Sequence, residues 1–412
     1  VYASQNGWLQ QQVARGEWGF QGLFVTDWGS SVDRIPGLEN GTDLEMPSSG
    51  DLNTQRIIAA VKEGKLDENV LNERVDNVVN LILKAKKTLD EGKKTYDVDA
   101  HHDLACRVAE GSIQLLKNDD GLLPLKKGQK VAIIGEMAKA PRYQGAGSSV
   151  INPTKMENAY DNLVELGVDV TYAQGYKKGT EQVDDALVAE ALAAAKAADV
   201  AVVFAGLTEE FEGEGYDRAN IEMPANHNQL IEQVAAANPN TVLTVVSSYP
   251  YALGEAKELL PAILYTTHAG PELGNAVADT LLGKNNPAAR CPITWYRSSQ
   301  DLPDIMEYDI ISAERTYLYD TVEPLFPFGH GLSYSSFVYR DFTAEEKPEG
   351  MLFRLTVENT SQRDGDEVVQ LYYRALHPRV KRPLRQLCGF QRVPVPANTA
   401  VPVTIFVPWY AL

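Results

Sequence analysis

The sequence contains little cysteine and no long apolar run. Cys106, Cys291 and Cys388 are odd in number, lie far apart and form no CxxC pair. Neither a disulfide framework nor a zinc site is therefore indicated, and we expect all three to be small core residues. No stretch approaches the roughly eighteen continuous apolar residues that a membrane span requires, so we expect a soluble chain without a membrane partner.

Positive charge is also scarce. The chain has 38 Lys and Arg against 56 Asp and Glu, which gives a formal net charge of −18. Such a chain repels the phosphates of nucleic acid and is compatible with neutral ligands such as sugars. The six histidines are scattered along the chain, so no metal constellation emerges and no cofactor is predicted.

The first 97 residues contain one strand pattern and two helical patterns. Residues 22–26 form an apolar strand-like run, and residues 54–63 and 68–88 follow a helical period. In the second helix, apolar residues recur at three- and four-residue intervals and predict one buried face. That face is typical of an outer helix of a barrel, and without inner strands to cover it we expect it to be exposed to water.

From residue 98 to 299 the pattern changes to short buried strands that alternate with helices. The predicted strands cover residues 131–134, 168–172, 200–205, 242–246 and 262–265. This alternation predicts an α/β fold with a mostly parallel sheet that has helices on both faces. Ligands of such sheets meet the loops at the carboxyl ends of the strands.

The last part of the chain has a different composition. Residues 300–338 are rich in Pro, Tyr and Phe and are predicted to be a linker. Alternating strands such as 352–358 and 367–373 then predict a small antiparallel sandwich over residues 339–412. We expect its last strands to lie beyond Leu412.

Two groups of acidic residues follow strands. Asp27 ends the run Gly22 to Thr26 and is followed by Trp28, an arrangement that can present a nucleophile beside an aromatic platform for a sugar ring. The alternative is an Asp that caps the next turn. The second group, Glu209 to Arg218, follows another apolar strand, and two carboxylate sites at strand exits indicate glycoside chemistry.

A glycine-rich loop, Gly145-Ala-Gly-Ser-Ser149, also lies after a strand. It lacks the Lys-Ser/Thr of a phosphate-binding loop, and Asn152-Pro153 prevents it from opening a helix, so nucleotide binding is disfavoured. We expect the loop to let backbone groups and hydroxyls approach a ligand closely.

Several motifs together resemble those of glycoside hydrolase family 3, the β-glucosidase and β-xylosidase family, over nearly the whole chain. They are Gly19-Phe-Gln-Gly-Leu-Phe-Val-Thr-Asp27-Trp28, Asp43-Leu-Glu-Met-Pro47, Leu115-Leu-Lys-Asn118, Leu122-Leu-Pro-Leu125, Gly145-Ala-Gly-Ser-Ser149, Glu212-Gly-Glu-Gly-Tyr-Asp-Arg218 and Pro324-Leu-Phe-Pro-Phe-Gly-His-Gly-Leu-Ser-Tyr334. Near the end, Val357-Glu-Asn-Thr360, Gly365-Asp-Glu-Val-Val-Gln-Leu-Tyr372 and Arg382-Pro383 resemble a fibronectin type III-like module.

The resemblance implies three structural parts. Residues 1–97 would be the C-terminal part of a (β/α)8 barrel, residues 98–299 an α/β sandwich domain, and residues 339–412 a fibronectin type III-like domain. A complete barrel takes about 250 residues. We therefore expect a missing N-terminal barrel segment or a second chain to complete it, and no activity from this chain alone.

The resemblance also assigns roles. Asp27 would be the nucleophile and Glu214 the acid/base, with Glu212 as the alternative acid/base. Retaining glycosidases place these carboxyl groups about 5–5.5 Å apart. We therefore expect Asp27 and Glu214 in one cleft, with a raised pKa for the acid/base caused by desolvation or neighbouring charge.

Three further residues are predicted to bind substrate. Trp28 would form a wall for a sugar ring or pack in the core, and Ser148 would bond a sugar hydroxyl or only shape its turn. Arg218 would support the nucleophile or pair with Asp217.

The function implied by the resemblance is that of a retaining exo-β-glucosidase that acts on β-linked glucosides or oligosaccharides. A β-xylosidase or another exo-glycosidase of the same family is the alternative among enzymes, and a non-catalytic carbohydrate-binding accessory chain is the alternative of another class. The sequence does not distinguish a cytoplasmic from a secreted protein.

Overall fold

The computed structural model describes residues 2–31, 33–215 and 218–412 and divides into two compact units, Val1–Tyr96 and Asp97–Leu412. The helices of the first unit, after a 3-10 turn at Ala3–Gln5, are a π-helix at Trp8–Glu17, α1 (Arg34–Asn40), α2 (Asp51–Lys62) and α3 (Glu68–Asp90). The carboxylates of Asp33 and Asp67 accept backbone hydrogen bonds at the starts of α1 and α3 and so cap these helices.

The strand predicted at residues 22–26 is reduced to one bridge. Val25 pairs in parallel with Leu44, and the Thr26 N–H donates to the Leu44 carbonyl at 3.0 Å. A run of apolar residues becomes a full strand only when neighbouring strands satisfy its backbone groups, and here the segment around Leu44 is its neighbour. The prediction was therefore right about extended backbone and wrong about the length of the pairing.

The core of the first unit is small. Leu38, Ala60 and Leu66 are buried together, and Val70 and Leu71 at the start of α3 pack against them. Farther along α3 the apolar residues lie open to water, with Ile82 58% exposed and Leu89 76% exposed. The helical pattern and the exposure expected for its face are both confirmed.

The second unit contains a six-stranded sheet. Its strands are β1 (Gln114–Asn118), β2 (Lys130–Ile134), β3 (Asp169–Ala173), β4 (Val200–Gly206), β5 (Thr241–Val246) and β6 (Ala262–Thr266). The strand order is β1-β6-β5-β4-β2-β3, and all pairs are parallel except β1 with β6. The mostly parallel sheet is confirmed, and β1 was not predicted.

Helices connect these strands and cover the sheet. They are α4 (Val98–Ser112), α5 (Ala159–Glu165), α6 (Asp185–Ala197), α7 (Ala225–Ala237), α8 (Gly254–Leu259) and α9 (Leu273–Leu282). Short 3-10 turns lie at Asp119–Gly121 and Glu136–Ala138. Every residue of β4 and β5 is buried, as expected for strands that have helices on both faces.

The strand order changes direction at β2. The chain runs from β2 outward to β3, and then returns to place β4 on the other side of β2. In open α/β sheets, the crevice outside the carboxyl ends of the strands at such a reversal is the usual ligand site. The loops that follow β2 and β4 therefore flank the expected site.

The end of the chain forms an antiparallel sandwich. After a 3-10 turn at Ser299–Asp301 and the short helix α10 (Thr316–Tyr319), the strands are β7 (Phe337–Lys347), β8 (Gly350–Asn359), β9 (Gly365–Tyr373), β10 (Gln386–Val395) and β11 (Ala400–Pro408). They form two sheets, β11-β8-β7 and β10-β9, with a buried core between them, and a last 3-10 turn lies at Trp409–Ala411. The antiparallel sandwich is confirmed.

The cysteines are partly as expected. All three are free thiols, and Cys291 is buried. Cys388 is half-buried and packs against the core of the sandwich, whereas Cys106 is half-buried in α4, so the prediction of a core position is wrong for Cys106. Within the described parts of the chain, the helices are too short or too polar to cross a membrane.

Candidate active site

The acidic loop after β4 lies at the reversal of strand order in the second unit. Its first turn is closed by the N–H groups of Phe211 and Glu212, which both donate to the Thr208 carbonyl. The loop that follows β2 carries Arg142 and the glycine-rich segment 145–149. These two loops meet at Leu207, Glu212 and Glu214.

Glu214 is exposed and contacts the glycine-rich loop. The backbone N–H of Ser148 donates to Glu214 Oε2 at 2.7 Å. Gly147 has φ of +85°, and a Cβ at this position would lie 2.5 Å from Glu214 Oε2. Because glycine alone adopts this backbone conformation without strain and leaves the space free, Gly147 allows the carboxylate to approach the loop.

The pKa of Glu214 is lowered, contrary to the expectation from the sequence. The hydroxyl of Ser148 and then its backbone N–H donate hydrogen bonds that favour the ionised carboxylate. Burial opposes this effect but is weak at such an exposed side chain. The neighbouring glutamates of the loop therefore do not produce the raised pKa that their crowding suggested.

Glu212 is held more firmly than Glu214. Its Oε1 accepts a hydrogen bond from the Ser248 hydroxyl, and its Oε2 lies 3.5 Å from Arg142 Nη1. Arg142 Nη2 also donates to the Glu212 carbonyl at 3.1 Å. Both carboxylate oxygens of Glu212 are thus occupied by donors from two different residues, whereas the donors to the Glu214 carboxylate belong to Ser148.

Arg142 is a buried cation that follows β2 and interacts with residues that follow β4 and β6. Its side chain is 5% exposed, and its Nη1 donates to the carbonyl of Leu207, the residue after β4, at 3.2 Å. His268, two residues beyond β6, has its pKa lowered to about 4, first by burial and then by the charge of Arg142. Arg142, Ser248 and His268 were not singled out from the sequence, although each follows a strand of the parallel sheet.

Arg218 is used within its own loop. Its Nε donates to the Asn220 carbonyl at 3.1 Å, and its Nη2 donates to the Glu222 carbonyl at 2.7 Å. The guanidinium also lies 5.5 Å from the centre of the Tyr249 ring. The suggested pairing of Arg218 with Asp217 lies outside the described residues.

Asp27 and Trp28 lie in the first unit and are exposed. Asp27 Oδ1 accepts the Trp28 N–H at 2.8 Å, and the Asp27 carbonyl accepts the Ser30 N–H at 3.1 Å. Trp28 is 65% exposed, so its side chain does not pack in the core of this unit. A cavity of about 530 Å³, lined by Asp27, Trp18 and Phe24 among others, opens beside them.

A buried carboxylate, Asp43, supports the segment that precedes Asp27. Its Oδ2 accepts from Arg15 at 3.0 Å and from the backbone N–H of Phe24 at 2.7 Å. Its Oδ1 accepts from Arg74 at 3.3 Å and from Asn77 at 2.8 Å. Asp43 belongs to a motif quoted above, but no local feature of the sequence revealed this network.

The structure thus brings Ser148 and Glu214 together in the second unit and Asp27 and Trp28 together in the first. Met46, beside the Asp27 segment, is tied to Thr26, whose hydroxyl accepts the Met46 N–H at 2.8 Å. Across residues 2–31, 33–215 and 218–412, no three His, Cys, Asp or Glu side chains are grouped so that they could hold a metal ion.

Two family models match the chain. Residues 113–334 match the glycosyl hydrolase family 3 C-terminal domain, and residues 367–412 match a fibronectin type III-like domain. The first match covers the whole sheet and both loops of the acidic site.

Curated relatives match nearly the whole chain. It is 40% identical to the thermostable beta-glucosidase B of Acetivibrio thermocellus, over 95% of this chain and 54% of the relative. It is 36% identical to an exo-alpha-(1->6)-L-arabinopyranosidase of Bifidobacterium breve, over 98% of this chain and 56% of the relative. The chain therefore spans about half the length of these relatives.

Solved structures show the same fold. The GH3 beta-glucosidase of Bifidobacterium adolescentis superposes with a TM-score of 0.91 at 34% identity, over 100% of this chain and 62% of that one. The beta-glucosidase 3B of Thermotoga neapolitana, in complex with glycerol, gives a TM-score of 0.86 at 26% identity, over 99% of this chain and 63% of that one. The domain matches, the identities and the superpositions agree, and the chain belongs to glycosyl hydrolase family 3.

Proposed function

We propose that this chain carries the nucleophile and the acid/base of a retaining, exo-acting β-glucosidase that removes terminal non-reducing β-D-glucosyl residues. Family membership and the relatives named beta-glucosidase support the proposal. The observation that carries it is the exposed carboxylate of Glu214, on a loop flanked by Gly213 and Gly215, at the reversal of strand order.

The reaction would take place in two steps. Asp27 attacks the anomeric carbon while the bond to the leaving oxygen breaks, and Glu214 donates its proton to that oxygen. In the second step the Glu214 carboxylate takes a proton from water, whose oxygen attacks the anomeric carbon and releases Asp27. Retention requires the two carboxyl groups to lie about 5–5.5 Å apart during turnover.

The contact of Glu214 with Ser148 suits the second of these steps. Two donors from Ser148 favour the carboxylate, which is the form that accepts a proton from water. The first step needs the protonated form, and a nearby Asp27 carboxylate together with the exclusion of water by the substrate would favour it. The flanking glycines would let the loop move between the two arrangements.

Further parts of the site belong to the same proposal. Trp28 would place its exposed ring against the sugar, and the Ser148 hydroxyl would bond a sugar hydroxyl. The nitrogens of Arg218 bond the carbonyls of Asn220 and Glu222, so Arg218 would approach the substrate only if its loop moved as a whole. The remaining barrel strands, from a preceding segment or a second polypeptide, would complete the pocket for the glucosyl ring.

A second candidate is another exo-glycosidase of the family, either a β-xylosidase or an arabinopyranosidase. The relatives from Bifidobacterium that are named exo-alpha-(1->6)-L-arabinopyranosidase favour the latter. Comparison of kcat/KM for aryl β-glucoside, β-xyloside and α-L-arabinopyranoside distinguishes these activities.

The test of the proposal uses Asp27→Ala and Glu214→Ala in the chain, with and without the remaining barrel strands as a second polypeptide. Asp27→Ala should abolish turnover of aryl glucosides and of the activated β-glucosyl fluoride. Glu214→Ala should spare the fluoride, because fluoride departs without a proton donor. Glu181→Ala, an exposed glutamate elsewhere in the second unit, serves as the control.

The product formed with azide tests the roles assigned to Asp27 and Glu214. Azide should restore turnover of activated substrates by Glu214→Ala and give a β-glucosyl azide, because a small anion can attack the glucosyl intermediate without a general base. An α-azide, or equal losses on both kinds of substrate, contradicts the assigned roles. Absence of turnover by the unsubstituted chain under both conditions would favour a non-catalytic accessory chain.

A further inference from the structure

Glu212 and Glu214 differ in how they are held, although one residue separates them. Glu212 is tied through its backbone N–H to Thr208, through its carbonyl to Arg142 and through its carboxylate to both Arg142 and Ser248. Glu214 is exposed and lies between two glycines. The firm part of the loop therefore ends at Glu212.

We propose that Arg142, Glu212 and Ser248 form a positioning cluster. This cluster holds the backbone of residue 212 in place and so limits where the acid/base Glu214 can lie. This inference rests on the proposed function of Glu214. Two residues span at most about 7 Å of extended chain, so a fixed Glu212 confines the Glu214 backbone to that distance. Because the glycines at 213 and 215 restrict the direction little, the anchor sets the reach of Glu214, and the contact with Ser148 sets its direction in this arrangement.

The cluster joins three parts of the sheet edge. Arg142 comes from the loop after β2, Glu212 from the loop after β4, and Ser248 follows β5. Arg142 also bonds the Leu207 carbonyl, so its guanidinium holds both the start of the acidic loop and Glu212. A buried guanidinium requires a carboxylate partner, and Glu212 satisfies this requirement here.

The geometry also assigns different chemistry to the two acids. Both oxygens of Glu212 already accept from donors, and one of these donors is a permanently charged arginine. Glu212 therefore acts on the reaction through Glu214, as a positioning residue.

The test uses Glu212→Gln and Ser248→Ala in the complete assembly, which is this chain together with the remaining barrel strands. The substrates are aryl glucosides with poor and with good leaving groups. A displaced proton donor should reduce kcat for a poor leaving group by about 10- to 100-fold, because a misplacement of 1 Å can cost about 100-fold. Hydrolysis of the dinitrophenyl glucoside should change less than about threefold. Ser248→Thr, which keeps the hydroxyl, should restore most of the loss.

Three readouts separate positioning from the alternatives. The basic limb of the pH profile should remain in Glu212→Gln, because Glu214 still supplies the proton, and azide should give no β-glucosyl azide. Loss of that limb with azide rescue would make Glu212 the acid/base and overturn the inference. Equal losses on both leaving groups, as a merely structural defect would produce, would also overturn it.

A measurement without turnover keeps the inference independent of the proposed function. In the chain alone, Ser248→Ala and Glu212→Gln should accelerate amide hydrogen exchange at Phe211 and Glu212, whose N–H groups bond the Thr208 carbonyl. Ser312→Ala, which removes a hydroxyl bonded to the Asp309 carboxylate elsewhere, is the matched control. Unchanged exchange would refute the anchor even if Asp27→Ala and Glu214→Ala behave as proposed.

Discussion

Glu367→Gln should destabilise the second unit because it removes the charge partner of a nearly buried arginine. Arg290 Nη2 lies 2.9 and 3.0 Å from the two carboxylate oxygens of Glu367, and the two side chains are 12% and 10% exposed. The Tyr339 hydroxyl donates to the same carboxylate at 2.9 Å. The pair connects the segment after α9 to β9 and β7 of the sandwich.

The size of the effect follows from burial. Removal of one partner from a buried ion pair costs about 3–5 kcal/mol, because the other charge stays buried without compensation. The amide of glutamine still accepts one hydrogen bond, so we expect the lower end, about 3 kcal/mol. The adjacent residue supplies a matched control: Asp366 pairs with Arg392 at 2.6 Å, but these side chains are 34% and 45% exposed. Asp366→Asn should therefore cost below about 1 kcal/mol.

Urea unfolding of the full chain measures the difference. Trp295 is fully buried in the second unit, between Tyr265 and Phe326, so its fluorescence reports loss of that core. Glu367→Gln should shift the transition to a clearly lower urea concentration, and Asp366→Asn should leave it nearly unchanged. Equal shifts in the two variants would refute the argument that burial sets the cost of the lost charge.

Three further predictions concern other sites. Gly147→Ala places a Cβ 2.5 Å from Glu214 Oε2 and so should displace the acid/base. The kcat of the complete assembly should fall about 100-fold for poorly activated glucosides and stay nearly unchanged for β-glucosyl fluoride. Equal losses on both substrates would contradict this. Asp43→Asn leaves two arginines without their carboxylate and should lower the free energy of unfolding of the first unit by about 3–5 kcal/mol, as measured by hydrogen exchange around Thr26. Burial lowers the pKa of His227 to about 3 in the folded chain, so below about pH 6.5 only the unfolded chain gains a proton on this histidine. The free energy of unfolding should therefore fall by about 1.4 kcal/mol per pH unit as the pH falls from 6.5 towards 3. His227→Gln should flatten this slope in urea titrations at several pH values, and an unchanged slope would exclude the histidine as its source.

The sequence determined the elements whose residues are buried on all sides. The apolar runs of β2, β4, β5 and β6 predicted strands within one residue of their bounds, because a strand covered on both faces must be apolar throughout. The edge strand β3, whose Asp169 and Thr171 are exposed, was also predicted within one residue. The helical period of α3 was equally clear from the sequence, and so was its apolar face, which is exposed to water. The family motifs singled out Asp27, which follows the Val25 bridge, and Glu214, which lies on the loop after β4.

Pairing between distant segments was decided by the tertiary structure. β1 pairs antiparallel with β6 across more than a hundred residues, and its short run carried no local pattern that distinguishes it from a helix end. The Gly22 to Thr26 run looked like a strand, yet it makes a single bridge because strand length depends on the neighbour that is present. Local periodicity records burial, whereas pairing depends on which segments meet.

The electrostatics of the site also belonged to the tertiary structure. From the sequence, several glutamates on one loop implied mutual repulsion and a raised pKa for Glu214. In the fold, Ser148 donates hydrogen bonds to Glu214 and lowers the pKa of this carboxyl group, while Arg142 and Ser248 bind Glu212. Charge along a sequence fixes which groups are present, but hydrogen bonds and distances set their energies, and only the folded chain brings β2, β4 and β5 together at one edge.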